Sequence, residues 1–185
     1  MSADRERQLI LQTKDGNNDA FRDLVELHMR QVYDLAYGFV NDHDDAEDIT
    51  QEVFVKVHNS IGSFRQEAEF STWLYRITTN ASLDRLKQRR RKTKRQVPLE
   101  ESETMQLATN PVPIDNLDLS MHIERALHEL PTLQRAVVIL RHIDGLPTRK
   151  VSEILKCSEG TVKTHLHRGL KKMRTLLQHL KDDRP

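Results

Sequence analysis

The stretch that decides the fold lies near the end of the chain, where residues 148–180 read TRKVSEILKCSEGTVKTHLHRGLKKMRTLLQHL. Val151 and Ile154 lie on one face of a short amphipathic helix, and Ser158 is well placed to cap a second, longer helix. Only residues 156–158 separate the two helices, which is typical of a helix-turn-helix. The sequence therefore predicts two packed helices joined by a tight turn.

The longer helix divides into an apolar stripe and a basic face. At about 100° per residue, five apolar side chains fall within about 40° of Leu166; they are Val162, Leu170, Met173, Leu177 and Leu180. Lysine, arginine, threonine and histidine cover the rest, and such groups can reach DNA base edges and phosphates. His165 and His167 point about 200° apart, which argues against a shared metal. A solvated basic face is the plainer alternative, but turn, cap and charge together favour DNA binding.

Charge is distributed unevenly along the chain, although the net charge is only +1. Residues 42–52 hold six acids and no lysine or arginine, whereas residues 85–95 hold eight bases and no acid. Residues 116–185 carry 13 basic and 8 acidic side chains. Surfaces of opposite sign indicate two different kinds of partner.

Composition limits the class of protein. A single cysteine among 185 residues excludes a disulfide scaffold, and 6 Gly, 6 Pro and 5% aromatic residues favour an all-α fold over a turn-rich β fold. No apolar run approaches the roughly 20 residues needed to cross a bilayer, and no basic-then-apolar leader follows Met1. We therefore expect no membrane insertion and a cytoplasmic location.

Helical periodicity covers two segments and is interrupted between them. In residues 1–92 it predicts four helices, with Asp19 capping the second and the fourth beginning near Ser71. From Thr93 to Asp115 the periodicity disappears and three of the six prolines appear. We therefore predict two small helical domains, residues 1–92 and 116–185, joined by a flexible linker at 93–115.

Four strings in the chain resemble the extracytoplasmic-function (ECF) class of bacterial sigma factors, within the sigma-70 family. They are DAEDITQEVF (45–54), SFRQEAEFSTWLYRITTN (63–80), LPTLQRAVVILRHIDGL (130–146) and SEGTVKTHLHRGL (158–170). The resemblance covers nearly the whole chain and implies a promoter-specificity subunit of RNA polymerase. It would consist of region 2 and region 4 only, and it would act by binding, with neither catalysis nor a cofactor.

The resemblance also implies roles for individual residues. Core polymerase would be bound through its β′ clamp helices and β flap, with the clamp contacts at Asp45, Asp48, Gln51 and Glu52. The −10 region would be met by Phe64, Arg65, Asn80, Arg85, Lys87, Arg89, Arg90 and Arg91. The −35 element would be met by Lys163, Thr164, His167, Arg168 and Lys171. A separate anti-sigma factor is the expected regulator.

The linker must then span a long distance. A spacer of about 17 base pairs at roughly 3.4 Å each separates the two promoter elements by nearly 60 Å. A flexible coil of 23 residues averages only about 25 to 30 Å, although it reaches about 75 to 80 Å when extended. In the free protein we expect the domains to collapse toward each other or onto an inhibitor, which would hide their charged faces. We also expect a protease to cut first between Thr93 and Asp115.

Two other classes of protein remain as alternatives. A helix-turn-helix regulator of the response-regulator type shares the final string, but it needs an α/β receiver domain before it. A metal-dependent nuclease could use the cluster formed by Asp42, Asp44, Asp45 and Glu47, but the chain offers neither a Gly-rich phosphate loop nor a nucleophile–base pair. The acids at the start of that helix would also be favourable simply through the helix dipole.

Overall fold

A computed structural model describes residues 3–64, 69–96 and 116–182. Within these ranges every regular element is helical, which confirms the all-α prediction. The helices are α1 (Ala3–Lys14), α2 (Asn18–Val40), α3 (His43–Ser60), α4 (Phe70–Gln96), α5 (Asn116–His128), α6 (Thr132–Val138), α7 (Thr148–Leu155), α8 (Glu159–Leu176) and α9 (His179–Asp182). In that part of the chain, no helix is both long and apolar enough to cross a bilayer.

Helices α1 to α4 form the N-terminal domain around an apolar core. Phe39, Ile49 and Leu74, from three different helices, are almost completely buried in it. The cap of α2 is Asn17, whose side chain accepts hydrogen bonds from the backbone of residues 19 and 20. The prediction of Asp19 as the cap was therefore wrong: Asp19 lies inside the first turn and pairs with Arg22 instead.

The C-terminal domain contains the predicted helix-turn-helix, formed by α7 and α8. Lys156 ends α7 in the left-handed conformation at φ 52°, and the Ser158 side chain caps α8 by accepting from the backbone N–H of Thr161. Helix α8 crosses α6 so closely that a Cβ on Gly169 would lie 2.9 Å from Val138 Cγ2. A glycine is required there because the two helix backbones approach each other at that point.

The apolar stripe of α8 is narrower than predicted. Val162 is buried, and Leu166 and Met173 pack against the core, but Leu170 is 37% exposed. Because α6 crosses at Gly169, the buried face follows residues 162, 166, 169 and 173 and leaves Leu170 at its edge. Helix α8 also ends at Leu176, before the last predicted positions of the stripe.

The two domains pack against each other at the end of α2. The buried guanidinium of Arg135, in α6, donates from Nη1 to the carbonyl oxygen of Phe39 at 2.8 Å. It also donates from Nε to the Leu127 carbonyl oxygen at 3.0 Å, and from Nη2 to that of His128. One cation thus satisfies the carbonyl ends of α2 and α5, where the helix dipole favours positive charge.

Apolar and ionisable groups extend this junction. A Cβ added to Gly38 of α2 would lie 3.6 Å from Ile139 Cδ1, so the two residues are in close contact. Lys150, in α7, forms an ion pair with Glu69, just before α4. Burial, together with the Asp34 carboxylate of α2, raises the pKa of Asp144 to about 6. The two domains thus pack against each other, as expected if the free protein collapses.

The limits of the linker differ slightly from the prediction. Helix α4 continues to Gln96 and so includes the first four residues of the expected linker, 93–96, and α5 begins at Asn116. The basic residues that precede the break extend the helix, since lysine, arginine and glutamine are good helix formers. Residues 97–115, which make up most of the predicted linker, lie outside the described residues.

Candidate functional site

An acidic face runs along the exposed side of α3. Asp48 has a side chain 62% exposed, and Glu52 is 48% exposed and pairs with Lys56 one turn later. Gln51 is also exposed. Three of the four residues predicted to bind core polymerase therefore lie together on an accessible surface.

The fourth residue, Asp45, is turned toward α4. Its side chain is only 14% exposed and bonds to Arg85 Nη1 at 2.8 Å and to Arg89 Nη2 at 2.5 Å. Arg85 also approaches Asp48 at 3.4 Å, and Arg89 approaches Asp42 at 2.9 Å. The N–H of residue 45 and the Arg89 guanidinium hold the pKa of Asp42 below its usual value. Two predicted DNA-binding arginines thus lie in an ion-pair network with α3.

Three other residues of the basic run, Lys87, Arg90 and Arg91, face solvent. Arg90 and Arg91 are exposed, and Lys87 is 67% exposed and pairs with Asp84 at 2.9 Å. Asn80, one of the predicted −10 contacts, is exposed earlier in α4, and Arg76 lies exposed one turn before it. The accessible side of α4 therefore combines an amide with several cations.

Phe64 lies in a different environment from the one that base stacking requires. It is 7% exposed, and its ring centroid lies 5.0 Å from that of Trp73 and 5.6 Å from that of Phe70. Lys14 Nζ donates to the Phe64 carbonyl oxygen and lies 5.8 Å from its ring centroid. In this structure the ring is part of the apolar core, and Phe70 and Trp73 pack against it. Arg65 lies outside the described residues.

The basic face of α8 is fully accessible. All five predicted −35 contacts are exposed: Lys163, Thr164, His167, Arg168 and Lys171. A groove of about 380 Å³ runs beside them, lined by His167, Leu170, Lys171 and Arg174. The prediction that collapse of the domains would hide this face was wrong, because the junction uses α2, α4, α6 and α7 and leaves the outer side of α8 free.

Some accessible residues were missed by sequence reasoning about binding. Glu47 and Val55 belong to the exposed side of α3, where Val55 is 60% exposed. A helical wheel would have found both, because Val55 lies two turns after Asp48 and Glu47 lies one turn before Gln51. Arg76 could have been found in the same way from Asn80.

The acidic cluster does not provide a convincing metal site. Within the ranges that the structure describes, no group of three or more histidine, cysteine, aspartate or glutamate side chains could hold a metal ion. Asp42 and Asp45, two members of the nuclease hypothesis, already bind arginine. The receiver domain that the response-regulator alternative needs is also incompatible with the helical N-terminal domain.

The fold and its exposed faces define a two-domain helical protein that presents an acidic surface and two basic ones. The family model of Sigma-70 region 2 matches residues 24–92, and that of Sigma-70 region 4 matches residues 120–173. ECF RNA polymerase sigma factor SigW of Bacillus subtilis is 35% identical over 182 residues, covering 94% of this chain and 97% of that relative. The Escherichia coli ECF RNA polymerase sigma-E factor is 31% identical, covering 87% and 88%.

A solved structure supports the same assignment. The sigma factor RpoE of Bartonella quintana, in complex with the anti-sigma factor NepR, has a TM-score of 0.68 to this chain. The two are 26% identical, and the match covers 89% of this chain and 98% of that one. The chain belongs to the family of ECF RNA polymerase sigma factors. Members of this family are transcription initiation factors and have no enzymatic activity of their own.

Proposed function

We propose that the three accessible faces divide promoter-specific initiation among them. The acidic side of α3 binds core RNA polymerase, the accessible side of α4 meets the −10 region, and the basic face of α8 meets the −35 element. The observation that carries this proposal is their separation, since each face is exposed on a different helix while the apolar sides of all three are buried. A chain with these faces can contact polymerase and two DNA segments at once.

Each face has the chemistry that its partner requires. Carboxylates form strong charge-assisted hydrogen bonds with an arginine-bearing helix of a protein partner. Lysine and arginine on α8 neutralise phosphates, while Thr164 and His167 can hydrogen-bond to base edges in the major groove. Asn80 can bond to the edge of an unstacked −10 base. We assign Phe64 to the core of the N-terminal domain, because its ring is buried.

The packed arrangement of the domains belongs to the free protein in this proposal. Promoter elements nearly 60 Å apart require the two domains to separate, and the contacts of Arg135 with Phe39 and of Lys150 with Glu69 must then break. An anti-sigma factor is the regulator we propose, acting from outside the chain. The cytoplasm, where RNA polymerase works, is the proposed location.

Reversal of charge on α3 tests the polymerase-binding role. Asp48→Arg with Glu52→Arg should weaken binding to core polymerase at least about tenfold, because two charge pairs with the partner become repulsive. The control is Asp23→Arg with Glu26→Arg, an equal reversal on exposed positions of α2. Pull-down with purified core polymerase and circular dichroism would measure binding and folding. Equal loss in both variants, or in neither, would contradict the proposal.

A further inference from the structure

Two arginines of the basic run, Arg85 and Arg89, lie on the same side of α4, one turn apart. Both point at the first two turns of α3, where they meet Asp42, Asp45 and Asp48 at distances of 2.5 to 3.4 Å. Arg85 is 25% exposed and Asp45 only 14%. Both guanidinium groups bridge α3 and α4; the Arg85 side chain is mostly covered, whereas that of Arg89 is 42% exposed.

Arg90 and Arg91 follow directly in the sequence but lie elsewhere on the helix. At about 100° per residue, they are turned roughly 100° and 200° from Arg89, and both are exposed. These four arginines, which look equivalent in the sequence, are therefore divided by the helix into an inner pair and an outer pair.

We infer that Arg85 and Arg89 are positioning residues, which fix the acidic helix α3 on α4, whereas Arg90 and Arg91 supply the phosphate contacts. This inference rests on the proposed function and assigns its residues more narrowly. Asp45 then belongs to the same network and is a support for the polymerase-binding face, with Asp48, Gln51 and Glu52 left to make the contact.

The physical argument concerns the consequence of removing one partner. A carboxylate that is largely buried, such as that of Asp45, is strongly destabilised when its cation is lost. The start of α3 would then move away from α4 and carry the acidic face with it. A phosphate contact behaves differently, because a solvent-exposed cation leaves no buried charge behind when it is removed.

Replacement of arginine by lysine distinguishes the positioning role from the phosphate-binding role. Arg85 Nη1 approaches both Asp45 and Asp48, and Arg89 Nη2 approaches both Asp42 and Asp45. The N–H groups of each nitrogen lie in the fixed plane of the guanidinium and so set the positions of both carboxylates, whereas the lysine ammonium is a point charge on a flexible stem. Lysine nevertheless serves well at a phosphate. Replacement by lysine should therefore damage a positioning arginine more than a phosphate-binding one.

The test uses the full chain with core polymerase and promoter DNA, and it compares Arg85→Gln with Arg89→Gln against Arg90→Gln with Arg91→Gln. The outer double variant should reduce the slope of log K for promoter binding against log salt concentration by about 1 to 2, with unchanged affinity for core polymerase. The inner double variant should leave the slope unchanged and lower core affinity by about tenfold or more. Core binding would be measured by fluorescence anisotropy of labelled sigma factor.

A second variant keeps the test decisive if the glutamine substitutions prevent folding. Arg85→Lys with Arg89→Lys preserves both charges, so a phosphate role predicts normal core affinity and a normal salt slope. Positioning predicts reduced core affinity with a normal slope. A reduced slope with intact core affinity in the inner variants would overturn this inference alone. Unchanged values in both the inner and outer variants would overturn the inference together with the proposed role of α4.

Discussion

Gly38 offers a way to open the contact between the two domains by a single substitution. It lies in α2 opposite Ile139, and a Cβ at this position would have Ile139 atoms at 3.6 and 3.9 Å, which is ordinary contact. Alanine therefore fits the closed arrangement, whereas glutamine must displace Ile139 or separate the domains. Overpacking of this kind costs about 1 to 3 kcal/mol. At about 1.4 kcal/mol per tenfold, Gly38→Gln should shift the closed-to-open equilibrium by roughly 5- to 150-fold.

Both substitutions remove a glycine from a helix interior, which favours α2 by up to about 1 kcal/mol. A loss of closure in Gly38→Gln therefore cannot come from a weaker helix. Energy transfer between dyes on cysteines introduced at Met29 and Met121, both exposed, would follow domain separation in a chain with Cys157→Ser. We expect lower transfer efficiency in Gly38→Gln and an unchanged value in Gly38→Ala. Equal efficiencies, with normal circular dichroism, would refute the packing of the domains at Gly38.

Three further predictions concern α8 and the domain junction. Lys163→Ala and Arg168→Ala should each weaken binding to a −35 duplex, by about 1 to 3 kcal/mol where the residue contacts a base edge. Filter binding at fixed salt would measure the loss, and the control variant Arg22→Ala should show none. Gly169→Ala should lower the free energy of unfolding by about 1 to 3 kcal/mol, because its Cβ would lie 2.9 Å from Val138 Cγ2. In the control Gly160→Ala the nearest atom, Ser158 Oγ, lies 3.6 Å from the Cβ, and urea titration should show no destabilisation. Burial and Asp34 raise the pKa of Asp144 to about 6, above the roughly 3.9 of an unfolded chain, so stability is lost as the pH rises between those values. Asp144→Asn should therefore raise the free energy of unfolding at pH 7.5 by about 1 to 2 kcal/mol after allowance for solvent screening, with no gain at pH 3.5.

His128 also makes stability depend on pH, but its pKa is shifted in the opposite direction to that of Asp144. Burial, and then the cations of Arg135 and Arg89, lower the pKa of His128 to about 4. Its contribution to stability is present above about pH 6.5 and is lost as the pH falls toward 4. Because His128 is common to the wild type and Asp144→Asn, its effect cancels in their difference. A pH-independent difference between the two proteins would show that Asp144 does not titrate as described.

The sequence by itself determined the features that depend on neighbours in the chain. Ser158 caps α8 through a hydrogen bond to residue 161, and the basic face of that helix follows from its own periodicity. Both interactions span three or four residues, so their spacing appears directly in the sequence. The helix-turn-helix and the two helical domains were predicted correctly for this reason.

Only the tertiary structure decided which charged groups remain available to a partner. Arg85 and Asp45 are 40 positions apart, and Arg135 reaches Phe39 across 96 positions, from one domain to the other. Local spacing carries no information about such pairs, because they depend on how whole helices pack. The burial of Phe64 follows from the same cause, since the packing of Phe70 and Trp73 around its ring leaves no face for a base. Arg85, which the sequence predicts as a DNA contact, thus forms ion pairs with two carboxylates of α3 in the folded chain.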